Sequence, residues 1–253
     1  MLNHVSLFTH LTHLTHLTHP RRIPFPSSET AADIDAFIDS RALEYPTKLE
    51  DEFVERAVNL GVDGGMVLDA GTRAGLIALK ILWQNENFYA IGMDTSGPMI
   101  DRARETAAAW GLGDRAFFQL GDARRMRFKT GYFDLVVSDS SLHRFDDSLA
   151  VLAEIRRVMK PKGALLIRDF RRPGRFQMKT EIEKAASRFG ARMRPQLETA
   201  LRAAYTPSEL DWFLRTTGLE NVSVVESDRG YVMIERRGET DPNSWIKARE
   251  QYL

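Results

Sequence analysis

The spacing of apolar positions changes several times along the 253 residues. Between residues 66 and 169, short apolar runs alternate with segments whose apolar residues recur every three or four positions. The runs predict buried strands and the longer spacing predicts amphipathic helices. The predicted strands are residues 66–69, 88–94, 116–120, 133–138 and 164–167. Repeated strand–helix–strand units with short links predict a doubly wound α/β fold, with a mostly parallel sheet covered by helices on both faces.

The segments on either side of this core have other patterns. Residues 1–28 repeat Leu-Thr-His triplets and carry no acid, which predicts a disordered low-complexity tail or, alternatively, a histidine-rich metal-binding tract. Residues 29–64 predict two helices that form a lid. Ile34, Phe37 and Ile38 mark the first, and a capping box at residues 47–50 begins the second, which stops near Gly61.

After residue 169 the pattern becomes helical and then returns to strands. Residues 171–204 predict an irregular start and one long helix. A capping box at residues 206–209 begins a further helix that ends at Gly218. Two short apolar runs around residues 227–230 predict an antiparallel hairpin within residues 219–237. The boundaries are therefore a tail (1–28), one domain (29–237) whose α/β core (65–169) is followed by a mainly helical region (170–218), and a polar tail (238–253).

Composition removes several classes of function. The chain has no cysteine, which excludes disulfides, thiolate nucleophiles and cysteine-bound metals, and we predict no metal site. Lysine plus arginine equals aspartate plus glutamate, at 35 each, so bulk charge does not favour nucleic acid. No run approaches the roughly 20 apolar residues that span a membrane. We expect a cytoplasmic protein with no membrane or nucleic-acid partner.

Acidic and polar residues follow successive predicted strands. Asp69 ends the first, Asp94 ends the second, Asp122 follows the third, and Ser138 and Asp139 end the fourth. In a parallel sheet these ends meet at one edge, where ligands bind near the topological switch point. The acids at the first three strand ends, together with the glycine-containing turn, therefore predict a polar ligand site.

The turn after the first strand narrows the choice of ligand. Counted from Gly71, the second and third glycine positions of the dinucleotide fingerprint hold Arg73 and Leu76, so the fingerprint fails. Asp94 lies 19 residues after Gly75, an offset that suits hydrogen bonds to ribose hydroxyls. The acids around the turn favour a cationic, nucleoside-like ligand without phosphates.

At this point the sequence resembles the class I S-adenosylmethionine-dependent methyltransferases, and within them the small-molecule type. The motifs that carry the resemblance are residues 67–75 (VLDAGTRAG), 91–99 (IGMDTSGPM), 121–123 (GDA), 133–138 (FDLVVS), 142–143 (LH) and 157–163 (RVMKPKG). It covers about residues 45–237 and implies a seven-stranded sheet with one antiparallel strand. The implied activity is methyl transfer from S-adenosylmethionine to a small molecule. Residues 65–169 would then be the cofactor-binding core and residues 170–218 the acceptor-specificity region.

The resemblance also implies roles for the strand-end residues. Asp69, Gly71 and Gly75 would line the methionine part of the cofactor, and Ser138 would lie near its sulfonium. Asp94 would bind the ribose, with Thr95 and Met99 beside the adenine. Asp122 would accept from the adenine amino group, with Ala123 close by.

Arg73 departs from the family pattern, which has a glycine at its position. Three interpretations stay open: the side chain turns to solvent or a nearby acid, it weakens cofactor binding, or it contacts the cofactor carboxylate. One rival function follows from this position: a catalytically weak or inactive binding or regulatory protein with the same fold. A nicotinamide oxidoreductase is a lesser alternative, and the missing third glycine of the dinucleotide fingerprint argues against it.

Catalysis has fewer signals than cofactor binding. His143 and Asp139 follow the fourth strand and are the candidate catalytic groups, for an acceptor that must lose a proton. Four arginines after the fifth strand would contact an anionic acceptor or form a solvated loop; they are Arg168, Arg171, Arg172 and Arg175.

Overall fold

Seven strands form one mixed sheet in the computed structural model, which describes residues 31–41 and 43–239. The strands are β1 (Gly65–Ala70), β2 (Phe88–Asp94), β3 (Ala116–Leu120), β4 (Phe133–Asp139), β5 (Met159–Phe170), β6 (Ser223–Glu226) and β7 (Tyr231–Arg236). The helices are α1 (Ala31–Arg41), α2 (Glu44–Val58), α3 (Leu76–Gln84), α4 (Gly97–Ala109), α5 (Ser148–Val158), α6 (Met178–Phe189), α7 (Arg194–Ala203) and α8 (Pro207–Thr217). The predicted tail of residues 1–28 lies outside the described residues, as does most of the predicted 238–253 tail.

The strand order is β3-β2-β1-β4-β5-β7-β6. Strands β1 to β5 run parallel, whereas β7 pairs antiparallel with β5 and β6 antiparallel with β7. The chain moves outward from β1 to β3 and then crosses back to β4, so the switch point lies between β1 and β4. The doubly wound class and the antiparallel hairpin are confirmed.

Two apolar cores lie on opposite faces of this sheet. One core joins Val67 and Val137 to α2, α3 and α4, and the other joins Leu68 and Val136 to α5 and α8. Neighbouring strand residues point to opposite faces, so a strand covered on both faces is apolar at nearly every position. Burying each such side chain contributes about 1.5–3 kcal/mol, which fixes the strands whose carboxyl ends carry the polar residues.

The structure corrects two helix predictions. Helix α2 begins at Glu44 rather than at Thr47, whose hydroxyl instead donates to the carbonyl oxygens of Arg41 and Leu43, both at 2.9 Å. The one long helix predicted within residues 171–204 is two helices, α6 and α7. Gly190 separates them at φ 90, and a 3₁₀ turn at Ala191–Met193 follows it. That left-handed φ ends a helix, and glycine adopts it without steric penalty.

The signals near the C-terminal end of the domain are confirmed. Thr206 caps α8, and its hydroxyl accepts from the backbone N–H of Glu209 while the Glu209 carboxylate accepts from the N–H of Thr206. Gly218 ends the helix with φ 67. This reciprocal cap and the glycine stop are local, which explains why the sequence alone predicts both ends of α8.

Candidate functional site

The turn between β1 and α3 depends on glycines at two positions. Gly71 has φ 77 and its backbone N–H donates to the carbonyl of Met93 at 2.9 Å, which ties the turn to β2. Gly75 has φ 79, and a Cβ there would lie 2.7 Å from the Phe118 ring. Both a left-handed backbone and close packing therefore require glycine at these positions.

Arg73 occupies the middle of this turn in a left-handed conformation, with φ 51. Its backbone thus follows the path that a glycine would take, although an arginine pays a steric penalty there. Its N–H donates to a carboxylate oxygen of Asp94 at 2.9 Å. Its guanidinium carbon lies 3.6 Å from the centre of the Phe37 ring in α1. The side chain therefore packs on the lid helix.

Asp94 is held by the turn and by the next helix. One oxygen accepts from the N–H of Arg73 and the other from the N–H of Ser96, both at 2.9 Å. A carboxylate has about four lone-pair positions, so two acceptor positions remain for a ligand. Thr95 beside it is exposed, and Met99 is fully buried against Phe37. Asp94 and Thr95 are thus adjacent at the end of β2, Met99 lies in the first turn of α4, and their contacts with a cofactor stay a prediction.

Asp69 lies beneath the same turn and is only 1% exposed. Burial raises the pKa of its carboxyl group to about 7, although the hydrogen bond from the Thr72 hydroxyl at 2.6 Å lowers it. A buried acid with so strongly raised a pKa in a polar cleft is typical of functional sites.

A small cavity separates the turn from α1. Its volume is about 20 Å³. Its charged lining consists of three carboxylates and two guanidinium groups: Glu50, Asp69, Asp139, Arg41 and Arg73. Arg41 pairs with Glu50 at 2.6 Å. Opposite charges around one cavity match a ligand that carries both an ammonium and a carboxylate.

Asp122 lies beyond β3 and has a partner of its own. Arg124 forms an ion pair with it at 2.8 Å, and this hydrogen bonding lowers the pKa of the Asp122 carboxyl. Both groups are partly exposed, so a ligand amino group would compete with a weak surface pair. Ala123 is buried next to it. The predicted adenine acceptor is therefore engaged by Arg124 in this structure.

Ser138 and Asp139 at the end of β4 both bind protein groups. The Ser138 hydroxyl donates to the carbonyl of Ala70 at 2.7 Å and ties β4 to β1. Asp139 accepts two bonds from Arg168, each 2.8 Å. Burial raises the pKa of Asp139, but the charge and hydrogen bonds of Arg168 outweigh it and leave the pKa below its ordinary value. A carboxylate that is paired with an arginine and has a low pKa is a poor general base, so the structure does not support a catalytic role for Asp139.

His143 lies in a 3₁₀ turn after β4 and is 3% exposed. Its Nδ1 lies 2.5 Å from one oxygen of Asp169, and its backbone N–H donates to the other oxygen at 2.7 Å. A carboxylate at Nδ1 favours the tautomer with the proton there, which leaves Nε2 as the acceptor. The edge of the Phe170 ring packs on the imidazole, with ring centres 5.6 Å apart.

The predicted group of four arginines does not form one anion-binding face. Arg168 is buried against Asp139, Arg171 pairs with Glu226 at 2.6 Å, and Arg172 pairs with Glu209 at 2.7 Å. Arg175 is exposed. Because three of the four pair with carboxylates on separate elements, the structure does not support a shared contact with an anionic acceptor, which stays a prediction.

Sequence reasoning missed four residues at this edge of the sheet. Phe37, Arg41 and Glu50 come from the lid helices, and only their long-range contacts bring them to the turn. Asp169 was detectable, because it ends β5 as Asp69 and Asp94 end β1 and β2. The expectation that polar residues at the carboxyl ends of parallel strands line the ligand site also applies to β5 and would have identified Asp169.

In the part of the chain that the structure describes, no three or more histidine, aspartate or glutamate side chains are arranged so that they could hold a metal ion. Within the same residues, no helix is both long and apolar enough to cross a membrane.

Comparison with known proteins matches this chain to methyltransferases. A family model described as "Methyltransferase domain" matches residues 62–235. Demethylmenaquinone methyltransferase of Deinococcus radiodurans is 31% identical over 137 residues, which cover 48% of this chain and 56% of the relative. The 27-O-demethylrifamycin SV methyltransferase of Amycolatopsis mediterranei is 26% identical over 190 residues, 75% of this chain and 62% of the relative. The chain thus spans a little over half the length of these curated relatives.

One solved structure shows how far the fold extends. A putative S-adenosyl-L-methionine-dependent methyltransferase from Methanococcus maripaludis superposes with a TM-score of 0.64 and 18% identity. The match covers 86% of this chain and 98% of that one. At this identity the likeness shows the shared fold.

Proposed function

Since this chain belongs to the methyltransferase-domain family, we propose that it transfers a methyl group from S-adenosylmethionine to a small-molecule acceptor. The residues that the family resemblance assigns to the cofactor lie along one edge of the sheet, from β1 to β4. The proposal concerns the cofactor, the residues that hold it and the type of acceptor.

The observation that carries the proposal is the fixed carboxylate of Asp94. Backbone N–H groups of Arg73 and Ser96 hold its two oxygens from the protein side. The remaining lone pairs suit the two hydroxyls of a ribose, which are hydrogen-bond donors. Because the partners are backbone groups, the carboxylate is positioned before the ligand arrives, which lowers the entropy cost of binding.

The charges near Gly71 suit the amino-acid end of the same cofactor. Asp69 and Glu50 would attract its ammonium, and Arg41 would attract its carboxylate. Arg73 adopts the glycine-like backbone and its N–H supports Asp94, so its presence does not disrupt the ribose site. These contacts favour an active cofactor site over the inactive alternative.

The bound cofactor supplies an electrophilic methyl group on a sulfonium, and the chain's own residues position and activate the acceptor. The nucleophile must lie about 3–3.5 Å from the methyl carbon. For an acceptor that must lose a proton, His143 is the candidate base, with Asp169 orienting the imidazole so that Nε2 accepts that proton. Asp139 instead holds Arg168, whose guanidinium also donates to the carbonyl of Leu49 and anchors α2.

An apolar ring is the acceptor type that the surroundings of His143 favour. Phe170 packs on His143 and stacks on Tyr231, with the latter ring centres 5.2 Å apart. Phe189 lies beside Phe170 at 6.3 Å. These aromatic side chains suit a flat, largely apolar acceptor. The names of the two curated relatives, which refer to a demethylmenaquinone and a demethylrifamycin, support an acceptor of this kind.

Isothermal titration calorimetry with S-adenosylhomocysteine tests the cofactor assignment. Wild-type protein should bind it, and Asp94→Ala should weaken binding about 10- to 150-fold, because hydrogen bonds to a charged group contribute about 1.5–3 kcal/mol. Asp114→Ala is the matched control, since Asp114 is an exposed carboxylate in the loop before β3. It should bind like wild type.

Two results would contradict the proposal. Wild-type protein that binds nicotinamide adenine dinucleotide but not S-adenosylhomocysteine would favour the oxidoreductase alternative. Equal affinity in wild type and Asp94→Ala would mean that the ligand does not use the Asp94 carboxylate.

A further inference from the structure

Helix α1 contacts the cofactor turn through Phe37, and the residue of the turn that stacks on this ring is Arg73. The Arg73 guanidinium carbon lies 3.6 Å from the centre of the Phe37 ring, and that of Arg41 lies 4.5 Å from the same ring. Phe37 is 5% exposed and packs on Ala74 and Met99. The Phe37 ring is therefore held against the turn by Arg73 and a small apolar cluster, while Arg41, which belongs to α1 itself, covers the same ring.

The attached helix leaves little room above the turn. The cavity between Phe37, Arg73 and Gly71 is about 20 Å³. Sites for cofactor-sized ligands are roughly 300–1,000 Å³, whereas a space of about 10–15 Å³ already suffices for one water molecule. The amino-acid end of an adenosylmethionine cannot enter while Phe37 stays in this position.

We propose that Arg73 is a positioning residue that latches α1 over the turn and keeps the cofactor out until the Arg73–Phe37 contact breaks. The proposal rests on the proposed function, because it takes the adenosylmethionine cofactor as the excluded ligand. The latch is the contact between Arg73 and Phe37. A glycine at position 73 would form the same turn but would lack this contact.

Backbone and side chain of Arg73 have separate roles in this arrangement. The backbone N–H supports the Asp94 carboxylate, whereas the guanidinium stacks on Phe37 of α1. Removing the guanidinium therefore leaves the ribose acceptor in place and increases the fraction of molecules with α1 open. Apparent affinity scales with that fraction. A cation over an aromatic ring gives an expected increase in the association rate of about 2- to 30-fold.

Two measurements test the latch on the full chain. Hydrogen–deuterium exchange of residues 31–41 reports opening of α1 without any ligand. Surface plasmon resonance with S-adenosylhomocysteine gives its association and dissociation rates. The variants are Arg73→Asn, which tolerates the left-handed backbone but lacks the guanidinium, Arg73→Lys, which keeps a cation, and Phe37→Leu, which keeps an apolar side chain.

Arg188→Gln is the matched control. It removes another guanidinium that lies over an aromatic ring, 5.2 Å from the centre of Tyr45, without touching α1. It should leave both readouts unchanged. Arg73→Asn and Phe37→Leu should each speed exchange in α1 and association of the ligand, with no change in dissociation. The double variant should add nothing further, and Arg73→Lys should restore slow association in part.

Other results overturn the latch. Unchanged exchange in α1 for both single variants would show that Arg73 does not hold the helix. Faster dissociation in Arg73→Asn, with Phe37→Leu like wild type, would show that Arg73 binds the ligand directly. Failure of every variant and of wild type to bind S-adenosylhomocysteine would contradict the proposed function, while the exchange of α1 would still decide whether the latch exists.

Discussion

Replacing Asp69 by asparagine measures how much stability the protein gives up to keep a carboxyl group beneath the glycine turn. Asp69 is 1% exposed, and burial raises its pKa from an ordinary 3.8 to about 7. Asparagine has nearly the same shape and keeps an oxygen that accepts the Thr72 hydroxyl. The substitution therefore removes the titration and the negative charge but keeps the shape of the side chain.

The sign of the effect follows from the two pKa values. The folded state holds the Asp69 proton more tightly than the unfolded chain, so the contribution of Asp69 to stability is fully present below pH 3.8 and is lost as pH rises through about 7. At about 1.4 kcal/mol for each pH unit between these values, the loss is about 4 kcal/mol. The asparagine variant has no carboxyl group to titrate at this position, so its free energy of unfolding does not show this loss between pH 3.8 and about 7.

Urea denaturation at pH 5 and pH 8 checks the magnitude. Relative to wild type, Asp69→Asn should gain about 2–3 kcal/mol in its free energy of unfolding between these pH values. Asp114→Asn changes an exposed carboxylate and should show little such gain. The reasoning would be refuted if the free energy of unfolding of Asp69→Asn, relative to wild type, were the same at both pH values or higher at pH 5 than at pH 8. Affinity for S-adenosylhomocysteine should fall in the same variant, because stability and function oppose each other at this position.

Three further substitutions test separate parts of the account. Arg168→Met leaves the buried Asp139 without its cation and should cost about 3–5 kcal/mol of stability, which Asp139→Leu should partly restore. A change near zero in the free energy of unfolding, measured by chemical denaturation, would contradict the role of this ion pair. Thr206→Ala removes the α8 cap and should cost about 1 kcal/mol, and an unchanged denaturation midpoint would exclude this contribution. Asp169→Asn should lower the methyl-transfer rate about 100-fold, because the amide no longer favours the His143 tautomer in which Nε2 accepts a proton. Cofactor affinity measured by calorimetry should stay unchanged. Equal rates in the variant and wild type would exclude His143 as the base.

The sheet was predictable because its signals are local. Buried parallel strands are apolar at nearly every position, so short runs predict β1, β2 and β4 almost to the residue. The residues that end such strands must lie at one edge of the sheet, which explains why Asp69 and Asp94 come together as predicted.

The lid was less predictable because its contacts join distant parts of the chain. The spacing of apolar residues predicts α1 but does not say which neighbour Phe37 meets, and that neighbour is Arg73. The capping-box pattern at Thr47 was misleading for a similar reason. The hydroxyl binds carbonyl groups at the end of α1 and in the link to α2, and Glu50 pairs with Arg41 and with Lys80.

Arg73 shows what sequence comparison alone could not decide. Its left-handed backbone is accessible to a non-glycine residue at a cost of roughly 1–3 kcal/mol, so the loss of a motif glycine need not disrupt the turn. The position of its guanidinium depends on α1, which lies more than 30 residues earlier in the chain. Stacking of this side chain on Phe37 is a contact that none of the sequence interpretations included.

The most direct test of the central claim is to identify the small molecule that the native protein carries through purification. Mass spectrometry of wild type and of Asp94→Ala, denatured after gel filtration, measures it without assuming an acceptor. S-adenosylmethionine or S-adenosylhomocysteine released from wild type, and absent from Asp94→Ala, is the result that the account predicts. A nicotinamide nucleotide released in their place would contradict it.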